Sequence, residues 1–167
     1  MISAYLTINN KEYKIIKLLG KGKGGYSYLA TFNDEKVVVK QIHHEPCDYY
    51  QFGNKIEAEL NDYKRLSSIG IRMSRMLDFD KDKECIVKEY IDGPVITALI
   101  ENGEDITEYI KQVREMAELA KAVNLNIDYY PTNFVVSNGL LYYVDYECNE
   151  YSEEWNLDNW GIKYWKK

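Results

Sequence analysis

Asp128, Asn133 and Asp145 carry the oxygen atoms from which a hard-cation or proton-transfer site can be built. Phe134-Val135-Val136 is a short apolar run that follows Asn133 directly. Asn138-Gly139 is a strong two-residue hairpin signal, and Leu140 to Val144 is the returning run that stops at Asp145. Antiparallel pairing therefore brings Asn133 and Asp145 to the same end of one hairpin. Asp128 lies in the loop leading in. Two carboxylates and an amide oxygen at one sheet end suit Mg²⁺. Taken singly, each residue is better accounted for by turn chemistry, because Asp and Asn are common at strand ends.

Other elements must bring phosphate-binding groups if such a site is to act on a nucleotide. Lys11 to Leu19 reads as a strand and is followed by a glycine-rich segment in which Gly20, Gly22 and Gly25 fit G-x-G-x-x-G. Tyr26 to Phe32 alternates and is aromatic, so the glycines join two strands and do not open a helix. Such a hairpin lets backbone N–H groups approach phosphate oxygens, with Lys21 and Lys23 adding charge; a merely flexible loop is the plainer alternative. Lys36 to Ile42 is a β-branched strand on which Val38, Lys40 and Ile42 share a face. A helix is expected from Asn54 to Ile69, with Ile56, Leu60, Tyr63 and Leu66 as its apolar stripe. Glu59 lies within that stripe and Glu57 outside it, which makes Glu59 the suitable counter-ion for Lys40. Two further strands, Met76 to Phe79 and Cys85 to Glu89, precede the turn Asp92-Gly93-Pro94. Asp105-Ile106-Thr107-Glu108 opens the strongest helix in the chain, which runs to Asn124.

Asn126-Ile127-Asp128-Tyr129-Tyr130-Pro131-Thr132-Asn133, followed by Val144-Asp145-Tyr146-Glu147, resembles the catalytic loop and metal-binding turn of the protein kinase-like superfamily. Glu147 in place of a glycine is similar to aminoglycoside- and choline-kinase-like members. The resemblance spans about Tyr13 to Glu147. It implies an α+β, bilobal fold: a five-stranded antiparallel N-terminal lobe with one helix (residues 1–93), then a reduced helical lobe (94–167). It implies transfer of the ATP γ-phosphate to a hydroxyl of a protein or small molecule. On this pattern Asp128 is the catalytic base, Lys40 fixed by Glu59 grips the phosphates, and Asn133 and Asp145 hold Mg²⁺. ATP would meet Gly20, Gly22, Gly25, Val38, Lys40, Glu89, Ile91 and Val135, with adenine bonded at the Glu89 carbonyl and the Ile91 N–H. Three positions depart from the pattern: Asn126 replaces the loop His, Tyr130 a common Lys, and Lys88 an apolar residue behind the adenine. The short remainder after Glu147 leaves no room for an activation segment or peptide-docking helices, so the acceptor stays open. In that remainder, Asn156 to Gly161 faintly resembles the kinase helix whose Asp, here Asp158, anchors the catalytic loop from below; a C-terminal helix packing Trp160 and Trp165 is the equal alternative.

A net charge of −6 argues against a nucleic-acid-binding surface. No apolar run approaches membrane-spanning length and no signal-peptide pattern opens the chain, so a cytoplasmic location is expected. Cys47, Cys85 and Cys148 lack metal-like spacing and read as reduced thiols. Two other classes compete with an active kinase. One is a nucleotide-binding pseudokinase acting as an interaction module. The other is a metal binder using His43-His44-Glu45-x-Cys47, although adjacent His residues point apart on an extended chain.

Overall fold

The computed structural model describes residues 4–21, 25–43 and 54–166. Gly22, Lys23, His44, Glu45 and Cys47 lie outside the described residues. The described chain is an α+β protein with a six-stranded antiparallel sheet and three α-helices. It divides into two compact units, Met1–Ala58 with Arg75–Tyr90, and Glu59–Ser74 with Ile91–Lys167. This grouping differs from a single cut after residue 93 at Glu59–Ser74 and at residues 91–93, both of which go with the C-terminal part.

The first unit is built from β1 (Ala4–Ile8), β2 (Lys11–Lys21), β3 (Gly25–Phe32), β4 (Glu35–Ile42), β5 (Met76–Asp80) and β6 (Cys85–Glu89). Their order in the sheet is β1-β2-β3-β4-β6-β5. The expected five strands become six because β1 pairs with β2 through the two-residue turn Asn9-Asn10. Both turn residues have positive φ (49° and 65°), as do Asn33 and Asp34 between β3 and β4 (50° and 64°). Asparagine and aspartate tolerate this left-handed region, which the tight hairpin turn demands. The sheet curls, and the Asn9 amide ties the β1–β2 turn to β5 by donating to Asp78 Oδ1 and the Phe79 carbonyl, both at 2.8 Å. Ile8, Tyr13, Ala30, Val37, Val39, Cys85 and Val87 form the core on one face. Burial pushes the Cys85 thiol up to about 11, in keeping with an unreactive structural cysteine. Period-two alternation puts Val38 and Lys40 on the other face, where Val38 pairs with Leu29 and Lys88, and Lys40 with Ser27 and Ile86.

α1 (Lys55–Ser68) starts where the Asn54 side chain accepts from the Glu57 N–H at 3.2 Å, an N-cap. The helix register follows the apolar stripe: Ile56, Leu60 and Leu66 are buried, and Glu57 pairs with the exposed Lys81. Its first turn groups with the first unit and the remainder with the second.

The second unit adds α2 (Ile96–Glu101), α3 (Thr107–Lys121) and two small antiparallel sheets. β7 (Leu125–Ile127) pairs with β10 (Cys148–Glu150), and β8 (Phe134–Ser137) with β9 (Leu140–Tyr143). The β8–β9 turn is Asn138-Gly139, with φ of 52° and 77°. Buried Gln112 on α3 clamps this hairpin, donating to the Gly139 carbonyl at 3.0 Å and accepting from the Leu141 N–H at 2.8 Å. On its other side, β8 bonds to the segment after Gly93: Val95 bridges Val135, and the Val136 N–H donates to the Pro94 carbonyl at 2.9 Å. Asp105 accepts from the Thr107 N–H and hydroxyl just ahead of α3. The N-cap position is Ile106 and no side chain caps the helix, so Asp105 is a turn residue and not the cap; Glu108 accepts from Gln112.

Candidate functional site

Two ladder ends meet at the candidate site. In the β7–β10 ladder Cys148 lies opposite Ile127, so the next residues outward, Glu147 and Asp128, face each other. In the β8–β9 ladder Phe134 lies opposite Tyr143, and the Val144 N–H donates to the Asn133 carbonyl at 2.9 Å. Asp145 is the next residue. The pairing thus collects Asp128, Asn133, Asp145 and Glu147 from two short hairpin-like ladders.

One carboxylate oxygen each of Asp128, Asp145 and Glu147 lies within 4.8 Å of the other two, and all three residues are half-buried. Around an octahedral Mg²⁺ neighbouring oxygens lie about 3 Å apart and opposite ones about 4.2 Å, so the three side chains would have to draw closer together to share one ion. Asn133 Nδ2 donates to the Asp128 carbonyl at 3.3 Å, which makes Oδ1 the side-chain atom suited to a cation. The donor set is all oxygen, as a hard divalent ion requires.

The loop carrying Asp128 is held at three points. Its N–H donates to the Tyr143 hydroxyl at 3.1 Å, and that hydroxyl donates to the Glu147 carbonyl at 2.8 Å. Tyr143 is fully buried; burial first, then the Asp145 carboxylate, raise its pKa well above the usual value, so the hydroxyl stays a donor. Asp128 Oδ1 accepts from the Tyr130 N–H at 3.1 Å, which orients the carboxylate. Beneath the loop, buried Trp165 donates from Nε1 to the Tyr129 carbonyl at 2.7 Å. Gly161 backs the same residue so closely that a Cβ there would meet Tyr129 Cβ at 2.5 Å.

Tryptophan packing, then, supports the loop. Asp158 pairs with Arg114 at 2.6 Å, with side chains 75% and 48% exposed. The tail forms 3₁₀ turns over Glu153–Trp155 and Gly161–Tyr164. Asp158→Asn should change unfolding free energy by less than about 0.5 kcal/mol, since an exposed pair is solvent-screened. Trp165→Phe should cost roughly 1–3 kcal/mol, because it strands the Tyr129 carbonyl. Urea unfolding of both variants checks this contrast.

The remaining expected site residues fall as follows. Gly20 lies in β2 with open space around it. Gly25 opens β3 against β4, where a Cβ would meet the Gln41 carbonyl oxygen at 2.5 Å, so strand packing alone requires glycine there. Glu89 ends β6, its N–H bonded to the Arg75 carbonyl at 2.8 Å. Lys88 is 5% exposed. Val135 is buried in β8, and Ile91 belongs to the second unit. Glu59 is half-buried, with Oε2 shielded from solvent. Sequence reasoning named Glu147 only as a departure and overlooked Tyr143; the β7–β10 ladder that explains both is three residues long and offers little periodicity. No helix among the described residues is long and apolar enough to cross a membrane. No protein-family model matches the chain.

Proposed function

We propose that this chain is an ATP- and Mg²⁺-dependent phosphotransferase of the protein kinase-like superfamily, acting on a hydroxyl acceptor. The observation that carries the reading is the convergence of Asp128, Asn133, Asp145 and Glu147 at two ladder ends. Asp145, Glu147 and Asn133 Oδ1 would hold Mg²⁺, which when bound neutralises phosphate charge. Asp128 would accept the acceptor's proton. As that proton leaves, the acceptor oxygen bonds to the γ-phosphorus, the bond to the β–γ bridging oxygen breaks, and ADP departs. Tyr143 and Tyr130, by bonding the Asp128 backbone and carboxylate, keep the base oriented. Lys40, on the face of the first unit opposite its core, is the residue that the resemblance assigns to the phosphates.

The test is a thermal-shift titration. Millimolar ATP with Mg²⁺ should raise the unfolding midpoint, because a ligand that binds only the native state stabilises it, by about 2.7 kcal/mol at 100 times Kd. Asp145→Asn should remove the Mg²⁺-dependent part of the shift and spare Mg²⁺-free binding. Absence of any shift with the wild type would sink the nucleotide reading.

A further inference from the structure

Tyr130, Tyr164, Trp160 and Trp155 form a series of ring contacts in the second unit, with centroids 5.1, 5.4 and 5.6 Å apart in that order. Tyr130, Tyr164 and Trp155 are 42%, 37% and 52% exposed, and Trp160 is half-buried. Three of the four rings are more than a third exposed, and together they make a contiguous aromatic patch of the kind that marks interaction sites. Exposed aromatic rows receive nucleobases, lipid headgroup regions or cations.

Two observations choose among these. Successive rings are inclined at 58°, 63° and 68°, so their faces point in different directions and offer no parallel platform for stacked bases. The unit itself is acidic: Glu59–Ser74 and Ile91–Lys167 together hold nine Lys and Arg against sixteen Asp and Glu, a net of −7. Exposed Glu153 and Glu154 stand next to Trp155 in the chain. Phosphates and anionic lipid are repelled by that charge. Cations are drawn by it and by the negative ring faces alike. The chain's own Lys163 illustrates the preference, its ammonium 5.1 Å from the Tyr164 ring centre.

We infer that this aromatic row docks a Lys- or Arg-rich polypeptide segment. The rings contact one another in series from the tail to the Asp128 loop, which suits several cations spaced along one extended chain. Tyr130, the first ring of the row, also donates its N–H to Asp128 Oδ1. That a hydroxyl of the docked segment is the phosphate acceptor rests on the phosphotransfer reading; the docking does not.

The experiment is fluorescence anisotropy with the full chain and a labelled twelve-residue peptide of alternating Lys and Ser, without nucleotide or Mg²⁺. An alternating Glu-Ser peptide and single-stranded oligothymidine serve as comparisons. The Lys-Ser peptide should bind and the other two should not. Trp155→Ala and Tyr164→Ala should each weaken binding about two- to fivefold, and the double variant about tenfold, measured at a temperature well below the thermal midpoint of each variant. Trp155→Tyr should keep wild-type affinity and Trp155→Leu should bind as weakly as Trp155→Ala, since the ring face, and not apolar area, is what acts. No binding of the Lys-Ser peptide, equal binding by wild type and the double variant, or equal binding of an anionic probe would overturn the inference. Missing peptide binding alongside an intact ATP–Mg²⁺ shift refutes the docking alone. Peptide binding without that shift refutes the phosphotransfer reading alone.

Discussion

Asp128→Asn is expected to leave ATP affinity within about twofold of wild type and to cut turnover by 10²- to 10⁴-fold, the range typical of a lost general base. The substitution is nearly isosteric. It can keep the Tyr130 N–H bond to Oδ1 and leaves the backbone bond to Tyr143 untouched. What it removes is the capacity to take a proton and one negative charge from the triad. The measurements are nucleotide affinity and ADP release, the latter with the Lys-Ser peptide as acceptor and with water alone. Equal ADP release from both proteins above a buffer blank would remove Asp128 from catalysis. Lost ATP affinity in the variant would instead make Asp128 chiefly a metal ligand alongside Asp145 and Glu147. A wild type that binds ATP but releases no ADP under either condition would favour the pseudokinase alternative.

Gly93→Ala should destabilise the protein by about 3 kcal/mol or more, the scale of an overpacked site that cannot relax. A Cβ at this position would lie 1.8 Å from the Val136 carbonyl oxygen and 2.9 Å from its carbon. Both are backbone atoms of β8, so no rotamer change relieves the clash. The strand or the Gly93 segment must move, and the Val136 to Pro94 hydrogen bond and the Val95–Val135 bridge are at risk. Because β8 runs directly from Asn133, the same variant should weaken the Mg²⁺-dependent thermal shift. Gly103→Ala is the control: it also sits in a turn, at φ of 71°, but a Cβ there meets nothing within 4 Å. Its cost should be limited to left-handed strain, about 1–2 kcal/mol. Chemical denaturation of the three proteins gives both differences; equal stability of Gly93→Ala and wild type would show that β8 shifts freely.

Local chemistry was legible along the chain. Asn138-Gly139 specifies a two-residue turn, and that turn alone places Asn133 and Asp145 at one end of a hairpin. The stripe of Ile56, Leu60 and Leu66 orients α1, and it separates Glu57, which pairs with Lys81 at the surface, from Glu59. Alternation along Lys36 to Ile42 sets Lys40 on the face away from Val37 and Val39. Each of these rests on a period or a turn spanning a few residues, which composition encodes directly. β1 escaped notice although its Asn9-Asn10 turn is of the same kind as Asn138-Gly139, because asparagine pairs signal left-handed turns less strongly than Asn-Gly.

Long-range pairing decided the rest. Glu147 joins the acidic group only because Cys148 pairs with Ile127, across a ladder too short to print a pattern in the sequence. The Tyr143 hydroxyl reaches Asp128 from fifteen residues away, and the Trp165 indole reaches Tyr129 from thirty-six. Tyr143 and Trp165 look in the sequence like ordinary core aromatics; their polar ends acquired roles when burial required each to find a partner. The row from Tyr130 to Trp155 likewise depends on the tail folding back onto the loop. Residue types and near-neighbour spacing therefore determined which groups are capable of chemistry here. Only tertiary structure determined which of them meet, because that follows from contacts between segments whose separation in sequence carries no local signal.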